Sequence, residues 1–208
     1  MSLTINNNPL IEAYNILESV IKTNVQDVNE TRRVLPTARE KQWIFPTTPE
    51  DEIGYYPRIA IVLNNITYDE FGAAQFAGYQ TATDGSVSDL KMNYAVLNMT
   101  IGIFTKKKER FNVTLPGNTT AKSITGTLLN SYLLGEIVNK INSKRDTFIS
   151  NNSIDIIITN VNQTYNDSEV LFASDISIKL IMPNVWGKVY TTGELIATIN
   201  KTYTVKSE

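Results

Sequence analysis

The sequence predicts an α+β fold: a mainly antiparallel sheet with an N-terminal helix and a long central helix packed on one face. Two observations point to the helices. Apolar residues recur at helical spacing from Pro9 to about Val28, and again from Lys122 to about Phe148. A third points to the sheet, because several other segments alternate apolar and polar residues as half-buried strands do. With 208 residues, 42% of them hydrophobic and 19% charged, the chain holds enough apolar material for a core. It reads as one domain over 1–208, with a Pro-rich arm or connector at 29–56 and a projecting loop at 64–91.

Taken in order, Asn8 is the expected N-cap of the first helix and Pro9 its first helical residue. Its apolar stripe is Leu10, Tyr14, Leu17, Ile21 and Val28. Between Asn29 and Tyr56, Pro36, Pro46 and Pro49 interrupt any regular element around the cluster Trp43-Ile44-Phe45. So long a connector reads as an arm packed on a neighbouring subunit or as a loop wrapped over its own core. Tyr56 to Leu63 reads as a strand, with Ile59, Ile61 and Leu63 on one face and Ala60 and Val62 on the other. Pro57 stands at its start, where a strand tolerates proline. Gly72, Gly78 and Asp84-Gly85 mark turns in the region 64–91, a hairpin or extended loop that carries Tyr68, Phe71, Phe76 and Tyr79.

The clearest strand is Tyr94 to Phe104, in which Leu97, Met99, Ile101 and Ile103 alternate with Asn98, Thr100 and Gly102. The run Lys106-Lys107-Lys108-Glu109-Arg110 is expected to be a solvated end that blunts a sheet edge. Phe111 to Leu115 then reads as a short return strand closed by Pro116-Gly117. The stripe of the long helix is Ile124, Leu128, Tyr132, Leu133, Ile137, Ile141 and Phe148. Gly126 and Gly135 weaken it and permit close approach, while Lys140, Lys144 and Arg145 suit the negative end of its dipole. Ser153 to Val161 and Val170 to Met182 form an expected antiparallel hairpin around Asp167-Ser168. After Pro183-Asn184-Val185-Trp186-Gly187, Leu195 to Val205 reads as a last strand.

The zeros in the composition restrict chemistry. Without histidine or cysteine there is no Ser-His-Asp triad, no thiol nucleophile, no thiolate zinc site and no disulfide. A net charge of −2 argues against nucleic-acid binding as the main task, since basic surface supplies most of that affinity. No apolar run approaches the roughly 18 residues of a membrane span, and Met1 to Asn6 lacks the start of a signal peptide. Neither GxxxxGK[ST] nor GxGxxG occurs. The carboxylates Glu50-Asp51-Glu52, Asp69-Glu70 and Asp167 with Glu169 have generic spacing and read as solvated loops. The expectation is therefore a non-enzyme with no cofactor, no metal and no membrane. Asn-X-Ser/Thr triplets recur from Asn29 to Asn200, a pattern that a composition rich in Asn and Thr explains and that leaves a cell-surface adhesion domain as the remoter alternative.

The order of elements resembles the tail-terminator (tail-completion) proteins of long-tailed viruses of bacteria and archaea. The residues that carry the resemblance are the N-terminal amphipathic helix and Tyr56-Pro57-Arg58-Ile59, which opens a strand. The alternating strand Asn93 to Phe104 then leads to a helix ending near Phe148, and a two-strand return closes in Ile176-Ser177-Ile178-Lys179-Leu180. It covers about Pro9 to Met182. The resemblance implies a structural virion protein of the tail or neck, assembled in the host cytoplasm as a homo-oligomeric ring, commonly six-fold. Such a ring ends the tail tube and meets the head–tail connector or stopper protein, and DNA passes its lumen without sequence-specific binding. Another neck component, such as a head-completion protein, or a tail-tube subunit are the neighbouring alternatives. A ring subunit needs aromatic anchors between copies, and the residues expected there are Trp43, Phe45, Tyr56, Arg58, Phe71 and Phe76.

Overall fold

A computed structural model describes residues 8–28, 42–48, 56–69, 75–81, 87–114, 119–152, 154–164 and 170–190. The elements are α1 (Pro9–Asn24), β1 (Ile44–Phe45), β2 (Arg58–Asp69), β3 (Gln75–Thr81), β4 (Val87–Lys106), β5 (Arg110–Val113), β6 (Lys122–Thr125), α2 (Gly126–Asn152), β7 (Asp155–Thr164) and β8 (Leu171–Tyr190). This is the expected α+β fold with an N-terminal helix, a long central helix and a mainly antiparallel sheet. Among the described residues, six strands form one sheet in the order β1-β2-β4-β8-β7, with β3 pairing β4 off that path. β1 lies parallel to β2, with Ile44 opposite Ile59. Most of the connector (29–41 and 49–55), the turns at Asp84-Gly85, Pro116-Gly117 and Asp167-Ser168, and the strand expected at Leu195 to Val205 lie outside the described residues.

The chain divides into two compact units, 10–66 with 96–181, and 1–9 with 67–95 and 182–208. In the second of these, β3 and the first residues of β4 form an antiparallel hairpin with a register shift between Phe76 and Gly78. Asn184 there donates from Nδ2 to Oδ1 of Asn93 at 3.0 Å. The first unit holds both helices and the packed core.

α1 stops at Asn24, four residues before the expected end, because Asn24 turns its own side chain back to the Val20 carbonyl at 2.8 Å and satisfies a terminal acceptor. Its buried stripe is Ala13, Leu17, Val20 and Ile21. Leu17 and Ile21 were foreseen, whereas Leu10 is exposed and Tyr14 half-buried. A stripe centred on Leu17 and Ile21 extends toward the N-terminus through either Tyr14 or Ala13. The small Ala13 side is the one that packs.

The strands run longer than their apolar cores suggest. β2 continues through Asn64 and Asn65 to Asp69, and β4 spans 20 residues rather than the 11 from Tyr94 to Phe104. Of the hairpin or extended loop expected at 64–91, the structure has the hairpin, β3 antiparallel to the first residues of β4; backbone pairing tolerates polar side chains once neighbours supply the ladder. On β4, Leu97, Met99, Ile101 and Ile103 are buried as the alternation requires. β7 and β8 form the expected antiparallel hairpin, with Ile158 opposite Ile178 and a shift at Thr159. β8 passes Pro183, where the sequence suggested an end. Its pairing with β7 is already over at Ile181, so the proline interrupts no β7 rung.

The largest correction concerns residues 106–126. Phe111 does not return along β4; β5 pairs instead with β6 in a separate two-stranded ribbon, Arg110 opposite Thr125 and Val113 opposite Lys122. The four residues expected as the first helical turn are thus strand, and the helix starts at Gly126 after Thr125, whose hydroxyl accepts the Leu128 N–H at 3.5 Å. Phe111, Val113 and Ile124 face inward from the ribbon. At the far end α2 runs to Asn152, so Lys140, Lys144 and Arg145 lie inside the helix rather than in its last turn. The Ile154 N–H closes it with a bond to the Phe148 carbonyl six residues back.

α2 buries Leu129, Leu133, Leu134, Ile137 and Ile141. Leu128, expected in the stripe, is 55% exposed. The position that belongs to the stripe instead is polar. Asn130 is fully buried and donates both amide hydrogens across the sheet, to the Ile103 carbonyl on β4 at 2.8 Å and the Phe172 carbonyl on β8 at 3.2 Å. Its oxygen accepts from the Ser174 hydroxyl. One turn earlier, the buried Thr105 hydroxyl donates to the Gly126 carbonyl at 2.7 Å, and the Gly126 N–H donates to the Glu109 carbonyl at 2.9 Å. A β-carbon on Gly126 would sit 1.7 Å from the Lys106 carbonyl oxygen.

Gly126→Ala is therefore expected to cost about 3 kcal/mol or more, because backbone has to move. Gly135 has open space around the same position, so Gly135→Ala is expected to stabilise by about 0.5–1 kcal/mol. Asn130→Leu leaves the Ser174 hydroxyl unserved and is expected to cost about 2–4 kcal/mol. Urea titrations followed by circular dichroism measure all three.

Candidate functional site

Two surfaces of the larger unit concentrate polar and aromatic chemistry. The first is where β2 begins and β4 ends. The Ile59 N–H donates to the Trp43 carbonyl at 2.7 Å, which pins the short β1 segment to the sheet. Trp43 is 6% exposed and Tyr56 fully buried, so both rings pack inside this chain, and the Tyr56–Pro57 peptide bond is cis. The Arg58 guanidinium lies 5.1 Å from the centre of the Tyr56 ring and 5.5 Å from that of Phe45. Lys106, at the end of β4, places Nζ 5.4 Å from the Tyr56 ring. Cations over aromatic rings contribute about 0.5–2 kcal/mol each, more where water is excluded.

Of the six residues expected at an interface, the structure brings Phe45, Tyr56 and Arg58 together, with Trp43 next to Phe45's strand neighbour Ile44. Phe71 lies outside the described residues, and Phe76 is placed only as a backbone position of β3, opposite Lys91. Lys106 belongs to the same cluster and was read as part of a solvated run. That run is only half solvated: Lys108 and Arg110 are exposed, but Lys107 holds Nζ out of water with no hydrogen-bond partner among the described residues, and its backbone N–H donates to the Val170 carbonyl at 3.0 Å.

The second surface is the sheet face turned away from α2. Ser174 and Thr105 face the helix, so their neighbours in β8 and β4 point the other way. Here Asn64 donates to the Thr100 hydroxyl at 2.9 Å and Asn98 to the Asn65 side-chain oxygen at 2.7 Å. Farther along, Gly102 is buried beneath two side chains. A β-carbon on it would lie 2.8 Å from Cε2 of Phe104 and 3.4 Å from Oδ1 of Asp175. The missing side chain is what lets ring and carboxylate converge. Burial alone pushes the Asp175 carboxyl above its usual range. Gly102 was legible only as a gap in an alternating strand, and Asp175 only as one of several outward positions.

Other titratable groups are committed elsewhere. Arg145 holds Asp155 through two bonds, Nε to Oδ1 at 2.6 Å and Nη2 to Oδ2 at 2.8 Å. That pairing keeps the Asp155 carboxyl below its ordinary value. Tyr14 and Tyr132 are pushed up by burial and then by Glu18 and Glu136, so neither phenol ionises easily. Among the described residues, no three metal-ligating side chains come together, and no helix is long and apolar enough to cross a membrane. What these surfaces offer is directional hydrogen bonding, charge and ring faces for contact.

No model of a known protein family matches the chain, and no curated protein matches it.

The two aspartates predict opposite pH responses. Asp155 has a lowered folded pKa, so its contribution is present above the unfolded value of about 3.9 and is lost as pH falls through the folded pKa. Asp175 has a raised one, so its ionisation costs stability as pH rises from about 3.9 through the folded value. At pH 7, Asp155→Asn is expected to lower stability by up to about 1 kcal/mol, and Asp175→Asn to raise it. In urea titrations across this range the Asp175 difference should vanish near pH 3 (about one unit below the unfolded value), whereas the Asp155 difference shrinks as pH falls below about 3.9 and is gone only below its lowered folded pKa.

Proposed function

We propose that this chain is a structural virion protein of the tail-terminator kind, a subunit of a homo-oligomeric ring that ends a tail tube and joins it to the head–tail connector. The observation that carries the reading is the order of elements. An amphipathic α1 comes first, then a strand opened by Tyr56-Pro57-Arg58-Ile59. Long β4 leads through the ribbon to long α2, and the β7–β8 hairpin closes the unit. These are the features on which the resemblance to tail terminators rests.

The physics of the site supports the same direction. A ring subunit works through surfaces, and it needs a core stiff enough to keep them in register. Here a buried polar pin fastens α2 to two strands at once, and the surfaces on either side of it differ in character. One is a corner of cations on aromatic rings, and the other an amide-rich sheet face with a carboxylate. On this reading the partners are copies of the chain, the tail tube protein and the connector or stopper protein. DNA passes without being gripped, as a net charge of −2 permits. The ring belongs to the virion neck and assembles in the host cytoplasm.

Mass photometry and negative-stain imaging of the purified chain test this. The expected result is a closed ring of about six subunits. A species that stays monomeric across micromolar concentrations refutes the proposal.

A further inference from the structure

The cations of this chain are not spread evenly. Between Thr105 and Gly135 stand Lys106, Lys107, Lys108, Arg110 and Lys122 against one carboxylate, Glu109, a net charge of +4. The whole chain carries −2, so everything outside this stretch carries −6. Such asymmetry marks a surface that meets a polyanion. The fold gathers the stretch at one end of the larger unit. The Gly126 N–H donates to the Glu109 carbonyl, and β5 and β6 set Arg110 opposite Thr125 and Val113 opposite Lys122. The side chains of Lys108, Arg110 and Lys122 are exposed, and among the described residues none of the three has a partner. α2 starts beside them with no acidic residue in its first turn, so the positive end of its dipole adds to the same field.

The chemistry of the ribbon narrows the partner. Its outer face sets the exposed Arg110 beside Thr125 and Asn112 beside Ser123, and every one of these side chains donates hydrogen bonds. Phe111, Val113 and Ile124 are turned inward. The exposed apolar neighbours are Leu128 and Val170, too few to make the apolar centre of a protein interface, in which lysine is also depleted. A surface of cations and neutral donors matches nucleic-acid phosphates instead. Arg110 and Lys122 are three rungs apart along the ribbon, about 10 Å. Over that span duplex DNA, with one charge about every 1.7 Å of its axis, offers several phosphates.

We propose that the outer face of the β5–β6 ribbon, with Lys108, Arg110 and Lys122, is a contact site for the phosphate backbone of duplex DNA. The site goes beyond the ring reading and does not depend on ring closure. It carries no sequence preference, because phosphates are alike at every step. So few phosphate contacts hold a duplex weakly and let it slide, in keeping with DNA that passes without being gripped.

Fluorescence anisotropy of short labelled duplexes of two unrelated sequences, titrated with the full-length protein, is the test. Both duplexes are expected to bind equally, with Kd between about 1 and 100 μM at about 50 mM salt. Log K should fall against log salt with a slope of about −2.7, the value for three phosphate contacts. The triple variant Lys108→Gln, Arg110→Gln, Lys122→Gln should weaken binding about 10-fold or more and flatten the slope. Arg110→Gln alone, a milder change to the ribbon, should reduce the slope by about 1. Lys140→Gln with Lys144→Gln, farther along α2, should leave affinity within about 2-fold of wild type. Absence of binding at about 50 mM salt, or ribbon variants that melt and bind like wild type, overturns the site. A poly-glutamate chain that binds as tightly as the duplex also overturns it, and makes the ribbon a dock for an acidic protein. A chain that binds the duplex but never assembles keeps this site and loses the ring.

Discussion

The docking of α2 against β4 and β8 is the constraint on which the larger unit depends. A 27-residue helix is held to the sheet by apolar packing that, on its own, tolerates sliding. Polar contacts remove that freedom. Asn130 spends both donors on carbonyls of two different strands, and Ser174 occupies its acceptor, so the helix has one register that leaves no buried group unserved. Gly126 brings the helix start against the Lys106 carbonyl at a distance no other residue permits. Thr105 ties the same turn down with a further hydrogen bond.

That docking divides the sheet into two unlike faces. On the helix side Leu129, Leu133, Ile137 and Ile141 of α2 are buried, as are Leu97, Ile101, Ile103 and Ile178 of the sheet. The other side carries Asn64, Asn65, Asn98 and Thr100, cross-linked by side-chain hydrogen bonds between β2 and β4. Amide pairs of this kind stiffen a surface without making it greasy. The carboxylate of Asp175 departs from the pattern, a half-buried charge beside the Phe104 ring and Gly102.

The corner built on Tyr56 makes the complementary point. Trp43 and Tyr56 were plausible anchors for a partner because large aromatics in a Pro-rich connector often serve that end. The chain packs both into its own interior, and the side of the cluster left half-exposed consists of Phe45, Arg58 and Lys106. Spacing alone does not separate an aromatic that finishes its own core from one that awaits a neighbour. Both kinds look apolar and sit beside proline.

Local periodicity was enough to establish the α+β class, the two helices, the β4 alternation and the β7–β8 hairpin, because helix and strand impose different repeats on whatever residues face a core. Composition was enough to show that histidine and cysteine chemistry is absent. The exact ends of elements were not decided at that level. Lys122 to Thr125 satisfy a helical stripe through Ile124 as well as they satisfy a strand, and only the pairing with Arg110 to Val113 selects the ribbon. Likewise Asn130 reads as a polar interruption until two strands, distant in the chain, present their carbonyls to it. Gly102 and Asp175 lie 73 positions apart, and their meeting depends on the β4–β8 register. Repeats along the chain report which way a residue faces; what it meets there is settled by segments far away in sequence, and that is a property of the assembled sheet.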